Sequence, residues 1–308
     1  MVGSASSAIH APSVVVHVNS IAGKASVCYV ESMNVAFDMG VNFLKAACQD
    51  HVFITHGHID HIQALPAHAA ERSLTGVKPA TYYMPAHLVP HVEQIMANFC
   101  EMQESTIPAT LVGIHAGATI HISSKVAVKA FPTDHRVASL GYVAYAISKS
   151  LKPEYAGLPG RELGALRKQA VEIDDAVWTP MVAYTGDTRI AFFEHENEAC
   201  HEFLRAHVLC TFMGDASKPS HAEETGHIHL DGLAAIQTRF DNHVLVLTHF
   251  SARYSLGYVR ETTAAALVAL RPTLYVAYGD VASLVPKSDD GATAASDKPI
   301  DATLSSTS

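Results

Sequence analysis

The stretch THGHIDH, residues 55–61, is decisive for the fold because it places three imidazoles and one carboxylate directly behind an apolar strand. Imidazole and carboxylate groups are donors that zinc and related metals accept. On a turn, His56 and His58 can point at one ion while Asp60 and His61 address a second. The chain has 20 histidines in 308 residues, so an ordinary surface His-Gly-His is the alternative interpretation.

Three further motifs each place a metal donor shortly after the end of an apolar run. The donors are His135, Asp187 and His249, and the runs are Val126–Phe131, Pro180–Tyr184 and His243–Leu247. Loops that are carried by a rigid sheet are where functional groups usually lie. For Asp187 a simple turn is the alternative, since Gly-Asp is common in turns. Together with the first stretch, these residues predict a two-metal site.

With these residues, the chain resembles the metallo-β-lactamase superfamily from about residue 14 to residue 278. Four motifs narrow the match to the short, plant-type tRNase Z family: Ser20–Gly23, Gly141–Val143, Gly226–His229 and His249–Tyr254. The last motif, His-Phe-Ser-Ala-Arg-Tyr, is the most specific of the four. The resemblance implies an α/β fold built as a four-layer αββα sandwich, and the alternation of strand and helix patterns in both halves of the chain agrees with it.

Residues 14–287 are expected to form one hydrolase domain, with residues 149–171 as a short arm or loop region. A polar leader at 1–13 and an acidic tail at 288–308 are expected to be disordered, because they contain few large apolar residues. No apolar run approaches the roughly 20 residues of a membrane helix, so no membrane association is predicted. Five scattered cysteines without a secretory leader indicate reduced thiols, which predicts the cytoplasm, with a nuclear pool as an alternative.

Apolar periodicity predicts the main elements of the domain. A hairpin is expected from residues 27–30 and 35–37, because two apolar runs are separated there by a short polar segment. Further strands are predicted at 51–55, 80–84, 126–130, 141–147, 181–184, 244–247 and 273–278. Helices are predicted at 59–74, 86–100, 192–204, 230–240 and 256–270.

The resemblance also implies how the donors are shared. One zinc would be bound by His56, His58 and His135, the other by Asp60, His61 and His249, with Asp187 bridging the two. That gives two Zn²⁺ per subunit, with Mn²⁺ or Fe²⁺ as alternatives. Two such ions about 3.5–4 Å apart can activate a water and neutralise charge on a phosphodiester. The reaction class is therefore hydrolysis, with Asp60 as the residue that orients the nucleophile.

A phosphodiester hydrolase also needs a proton donor for the departing ribose oxygen. The resemblance assigns this role to His227, with His229 as a second candidate, since either imidazole can donate a proton near pH 7. An ordinary loop histidine is the alternative. The family has a Glu just before a Thr-Phe that orients this histidine, whereas here residues 208–212 read VLCTF. We therefore hypothesise that the hydrolytic activity is weakened. A carboxylate at one of three positions could take the place of the missing Glu: Asp215, Glu223 and Glu224.

Contacts to substrate phosphate are predicted from the residues that follow the ligands. Arg253 is the first candidate, because a guanidinium can bind a phosphate through two parallel hydrogen bonds. Four further candidates follow from position alone: Ser251, Tyr254, Thr188 and Arg136. The net charge of −9 works against binding a polyanion. Residues 149–168 are an exception, with five basic and two acidic side chains, although a solvated linker is an equal alternative.

The resemblance implies a zinc-dependent endoribonuclease that removes the 3′ trailer from precursor tRNA, acting as a homodimer and without DNA as a substrate. Two other hypotheses stay open at this point. The chain could hydrolyse a small phosphodiester or ester, which a short arm would favour. It could also be a weakly active or non-catalytic RNA-binding relative that kept the metal site but lost the orienting carboxylate.

Overall fold

The structure is a computed structural model that describes residues 7–11, 13–42, 44–214, 219–279 and 281–284. Two β-sheets contain the described strands. The seven strands of the first sheet, β1 to β7, neighbour one another in chain order: Ser7–Ala11, Val14–Ile21, Ala25–Val30, Val35–Phe37, His51–Phe53, Thr81–Pro85 and Thr110–Ile114. The eight strands of the second, β8 to β15, do so as well: Thr119–His121, Val126–Pro132, Leu140–Leu151, Asp174–Tyr184, Val208–Phe212, Val244–Thr248, Thr273–Tyr278 and Val281–Leu284.

Helices cover the outer face of each sheet. The first half contains α1 to α4: Leu44–Ala47, Ile59–Ile62, Leu65–Leu74 and Val89–Met102. The second half contains α5 to α10: Gly160–Lys168, Ala191–Glu194, Glu198–Arg205, Pro219–Thr225, Leu230–Ala235 and Leu256–Ala266. Short 3₁₀ helices lie at Glu31–Met33, Ala86–Leu88, Pro153–Tyr155 and Gln237–Arg239. None of the described helices has the length and apolar character needed to cross a bilayer.

Three apolar clusters define four layers. The central cluster joins the two sheets, with Phe37 and Phe53 of the first packed against Tyr142 and Tyr184 of the second. A second cluster lies between β8–β15 and the helices of the second half, and a third lies between β1–β7 and the helices of the first half. This arrangement confirms the predicted αββα sandwich.

Several predicted helices are broken in the structure. The helix expected over residues 59–74 is two helices, α2 and α3, because Pro66 at the start of α3 lacks an N–H and cannot continue a preceding helix. The helix expected over 192–204 is likewise divided into α6 and α7. Asn197 begins α7 by accepting a hydrogen bond from the Cys200 N–H at 2.9 Å, as an N-cap does.

One prediction about the less regular parts needs correction, and another gains detail. Residues 7–11, assigned to a disordered leader, form β1, because each pairs in antiparallel register with β2 and Ile9 is fully buried. The region 149–171, predicted as a short arm or loop, contains the end of β10 and the helix α5. The remaining leader residues 1–6 and 12, and the predicted tail 288–308, lie outside the described residues. The predicted hairpin is confirmed, since β3 and β4 pair in antiparallel register.

The strand directions decide where the site lies. Strands β4, β5 and β6 are parallel to one another, and so are β11, β12, β13 and β14. Parallel strands present their carboxyl ends at one edge of a sheet, which is where ligands bind in open α/β folds. The segments after β5, β9, β11 and β13 carry the predicted donors, so these donors meet at one edge of the sandwich.

Candidate metal centre

Three histidines converge on one point. The Nε2 atom of His56 lies 2.9 Å from Nδ1 of His58, which in turn lies 3.4 Å from Nε2 of His135. These nitrogens and an oxygen of Asp187 all lie within 4.8 Å of one another. His56 is fully buried, whereas His58 is half-buried. The first predicted ligand set is therefore brought together.

A second cluster lies beside the first. Asp60 and His61 belong to the single turn of α2, where successive side chains reach the same buried space. The Oδ2 atom of Asp60 lies 3.8 Å from His61 Nε2 and 3.7 Å from Nε2 of His249. All three side chains are nearly or completely buried. Gly40 permits this packing, because a Cβ on it would lie 1.7 Å from the Asp60 carbonyl oxygen.

Asp187 lies between the two clusters. Its Oδ2 atom is 3.6 Å from His56 Nε2 and 3.5 Å from His61 Nε2, while its Oδ1 atom is 3.4 Å from His249 Nε2. One carboxylate thus faces histidines of both sets, which is the position that a bridging ligand needs.

The donor atoms fit a cation. Among the described residues, His61 Nε2 and Asp187 Oδ1 are buried and have no hydrogen-bond partner, although buried polar atoms are normally satisfied. Burial lowers the pKa of His135 and of His249 to about 4, which favours the neutral imidazole that binds metal. Burial opposes ionisation of Asp187, yet His249 and His61 hold the pKa of this carboxyl well below its usual range.

The surroundings of His61 also favour a positive charge at the site. Burial acts to lower its pKa, but the carboxylates of Asp187 and Asp38 outweigh burial and raise this pKa well above its usual value. The carboxylates therefore favour a positive charge at the point where a metal ion would lie. The site accommodates metal by its donor chemistry as well as by its geometry.

Asp38 accepts hydrogen bonds from groups that hold both ligand sets. Its carboxylate accepts from His61 Nδ1 at 2.7 Å, from the Tyr184 hydroxyl at 2.9 Å and from the Thr55 N–H at 2.7 Å. The Thr55 hydroxyl also bonds to Asp38 at 2.9 Å and lies 2.9 Å from His56 Nδ1. Partners of this kind fix the tautomer and orientation of a metal-bound imidazole.

The other histidines have equivalent partners. His249 Nδ1 lies 2.9 Å from the Ser20 hydroxyl and 3.1 Å from that of Ser26, and His135 Nδ1 donates to the Gly226 carbonyl at 2.8 Å. Metal-ligand spacing in the sequence does not mark these partners. Asp38 carried a usable signal, because it is a polar residue placed directly after an apolar strand, as the ligands are.

Comparisons with known proteins agree with this geometry. A family model described as a beta-lactamase superfamily domain matches residues 44–154. The tRNase Z TRZ1 of Arabidopsis thaliana is 38% identical over 249 residues, which cover 80% of this chain and 88% of that protein. The chain belongs to the tRNase Z family. The chloroplastic tRNase Z TRZ2 of the same plant is 31% identical over 79% of this chain and 69% of that protein.

A solved structure supports the fold. The short form of human tRNase Z has a TM-score of 0.51 and 17% identity, over 92% of this chain and 97% of that one. The present tRNase Z family member is therefore a metal-dependent hydrolase with the metallo-β-lactamase fold.

The structure distinguishes the two candidate proton donors. His227 borders the metal cluster, with its Nδ1 atom 3.6 Å from Asp187 Oδ1. His229 is instead buried and begins α9, where its Nδ1 accepts a hydrogen bond from the Asp231 N–H at 3.1 Å. This capping bond uses only Nδ1 and places the ring proton on Nε2, so His229 stays a candidate proton donor. His227 is the tRNase Z histidine that faces the site.

The carboxylate that this family has before Thr-Phe has no replacement on β12. Leu209 packs into the cluster under the helices and Cys210 into the cluster between the sheets. Of the suggested substitutes, Glu223 lies 3.2 Å from Arg189 and Glu224 is exposed. Asp215 lies outside the described residues.

A cleft leads from the metal cluster toward two of the predicted phosphate contacts. The part above the cluster, about 290 Å³, is lined by Gly23, Asp60 and His227. A neighbouring part of about 230 Å³ shares Gly23 and His227 with it and reaches Ser251 and Arg253.

Arg136 lines the same cleft at the opposite side, with Nη2 3.5 Å from His58 Nε2. The prediction that Thr188 contacts substrate phosphate is corrected. Its side chain is fully buried, and its hydroxyl bonds to the backbone of Asp134. Tyr254 is half-buried and stacks on Tyr258, so packing is its observed role. Arg136 lines this cleft, whereas Thr188 does not.

Proposed function

We propose that this protein is a zinc-dependent endoribonuclease that removes the 3′ trailer from precursor tRNA. The observation that carries the proposal is the convergence of seven donors beside a cleft, in a chain 38% identical to a curated tRNase Z. We propose two zinc ions per subunit, one bound by His56, His58 and His135 and one by Asp60, His61 and His249. Asp187 would be shared by both.

Bound zinc would supply positive charge to the phosphodiester and lower the pKa of the attacking water. Asp60 is fixed at the cleft floor, because its Oδ2 atom accepts a hydrogen bond from the Gly23 N–H at 2.8 Å. From there its carboxylate orients the nucleophile and accepts its proton. His227 stands at the cleft wall and donates a proton to the departing ribose 3′ oxygen, which leaves a 3′-hydroxyl on the tRNA.

We propose that the cleft and the arm bind the RNA backbone. Arg253 and Ser251 line the end of the cleft away from the metal cluster, where a phosphate next to the scissile one would lie. The arm consists of the outer ends of β10 and β11 with α5 between them. Its basic residues concentrate positive charge on a protein whose net charge is −9, although Arg167 is already paired with Asp174 at 3.0 Å.

We also propose that the active form is a homodimer, as the family resemblance implies. One face of α4 supports this, since Ile95, Phe99 and Met102 follow helical spacing and are 46%, 42% and 70% exposed. Sedimentation equilibrium tests the proposal, because a chain of 33.0 kDa should double its mass. A monomeric mass at working concentrations would reject it. The cytoplasmic location stays a prediction.

Cleavage of a 3′-extended precursor tRNA by the zinc-loaded protein tests the function, with products mapped to the nucleotide. We expect one cut after the discriminator base, abolished in Asp60→Ala and retained in Asp241→Ala, which removes an exposed carboxylate paired with Arg271. Hydrolysis of bis(p-nitrophenyl) phosphate without tRNA cleavage would point to a small-diester hydrolase. Zinc binding without turnover of either substrate would point to a non-catalytic relative.

A further inference from the structure

No described residue hydrogen-bonds to Nδ1 of His227. This atom is buried, and the carboxylate oxygen of Asp187 lies 3.6 Å from it. A proton donor that lacks an orienting acid must be positioned in some other way, because a misplacement of about 1 Å can reduce a rate by about 100-fold.

The backbone around His227 is held firmly. The His227 N–H donates to the Ala222 carbonyl at 2.8 Å, and the Gly226 N–H donates to the Glu223 carbonyl at 3.2 Å. Both acceptors belong to α8, so the last turn of this helix places the histidine. Gly226 has φ +79°, and a Cβ there would lie 2.5 Å from Nδ1 of His135. The position of α8 therefore fixes the backbone from which the His227 ring extends.

The guanidinium of Arg189 attaches α8 to the metal-ligand loops. Arg189 Nε donates to the Glu223 carbonyl at 2.9 Å and lies 3.2 Å from the Glu223 carboxylate. Its Nη1 donates to the Asp134 carboxylate at 2.9 Å, and its own N–H donates to the Asp134 carbonyl at 2.7 Å. Arg189 thus joins the loop of Asp187, the loop of His135 and the helix that leads to His227.

We propose that Arg189 is a positioning residue that acts through His227, in place of the carboxylate missing from β12. The inference rests on the proposed function, since it concerns the donation of a proton to a ribose oxygen. Arg189 touches no ligand atom itself. Its two ion pairs align α8 with the metal cluster, and the alignment sets the distance between the His227 ring and the leaving oxygen.

The test compares two leaving groups. A ribose oxygen needs a proton as it departs, whereas p-nitrophenolate is stable enough to leave without one. We expect Arg189→Met to lower kcat for precursor tRNA by about 10- to 100-fold, a part of the 10²–10⁴ that general acid catalysis contributes. We expect kcat for bis(p-nitrophenyl) phosphate to change by less than about twofold and zinc content to stay the same.

The matched control is Arg239→Met. Arg239 is also about three-quarters buried and bonds to a carboxylate, Glu196 at 2.6 Å, and to a carbonyl, Glu194 at 3.3 Å, in contacts that do not involve the site. It should leave both rates unchanged. Thermal unfolding of both variants shows how much each arginine contributes to stability alone.

A double-mutant cycle with His227→Ala separates positioning from general support. If Arg189 acts through His227, Arg189→Met lowers tRNA cleavage no further once His227 is removed. Equal loss for both substrates, loss of zinc, or fully additive effects in the cycle would overturn the inference. A wild-type protein that hydrolyses the nitrophenyl ester but does not cut tRNA would reject the proposed function and the inference with it.

Discussion

Asp38→Asn provides a sharp test of the metal centre. Asp38 is fully buried and has φ 56°, a left-handed conformation that Asn tolerates well, so the substitution adds little backbone strain. Its carboxylate only accepts hydrogen bonds, whereas an amide also donates. With the amide oxygen on the Thr55 N–H, the new NH₂ faces His61 Nδ1. That nitrogen must then be unprotonated, which puts the ring proton on Nε2, the atom directed at Asp187.

The expected effect follows from this change of tautomer. Removing a partner that orients a metal-bound histidine lowers metal affinity by about 10- to 100-fold, or about 1.4–2.7 kcal/mol. Loss of one hydrogen bond to a charged group destabilises the fold by about 1.5–3 kcal/mol. We expect one of the two ions to be lost more readily, because Asp38 bonds to His61 directly and reaches His56 only through Thr55.

Zinc competition with a chromophoric chelator measures both affinities, and urea unfolding measures stability. Asp50→Asn is the control, since Asp50 is ion-paired with Arg72 and Lys78 and contacts no ligand. It should lose stability but bind zinc as before. If Asp38→Asn keeps both zinc affinities within about twofold of the wild type, Asp38 does not determine the tautomer of His61.

Two further predictions concern other positions. Burial lowers the pKa of His68 to about 4, so acid favours the unfolded state below the ordinary value of 6.5. Metal-free protein should therefore lose about 2–3 kcal/mol through His68 between pH 7 and 4.5 by urea unfolding, and His68→Gln should lose that much less over the range. Gly226→Ala should displace His135 and lower zinc stoichiometry, whereas Gly164→Ala, with open space around it, should not.

An unchanged pH dependence in His68→Gln would contradict the first of these predictions. The low pKa of His68 comes from burial of its ring, which outweighs the Ala46 carbonyl 3.3 Å away that acts to raise this pKa. Full zinc content in Gly226→Ala would contradict the second, because the added Cβ would then have found room beside His135.

The family resemblance predicted the fold, and local sequence predicted the strand ends that carry the ligands. A polar donor directly after an apolar run marks the end of a buried strand, and this signal placed His135, Asp187 and His249 correctly at strand ends. The signal is strong because burial of a strand allows only apolar residues until the chain reaches the edge. Helix ends were less predictable, since Pro66 and Asn197 divide patterns that apolar periodicity alone reads as continuous.

The sequence by itself determined which donors are present and that they end strands. Only the tertiary structure decided which loops meet, and therefore that Asp187 faces both histidine sets, that Asp38 supports them and that His227, not His229, borders the cleft. Thr188 illustrates the reason. It follows Asp187 directly, yet its side chain is buried against Asp134. Side-chain direction in a loop depends on backbone angles and on contacts made by residues distant in the chain, and neither is encoded in local spacing.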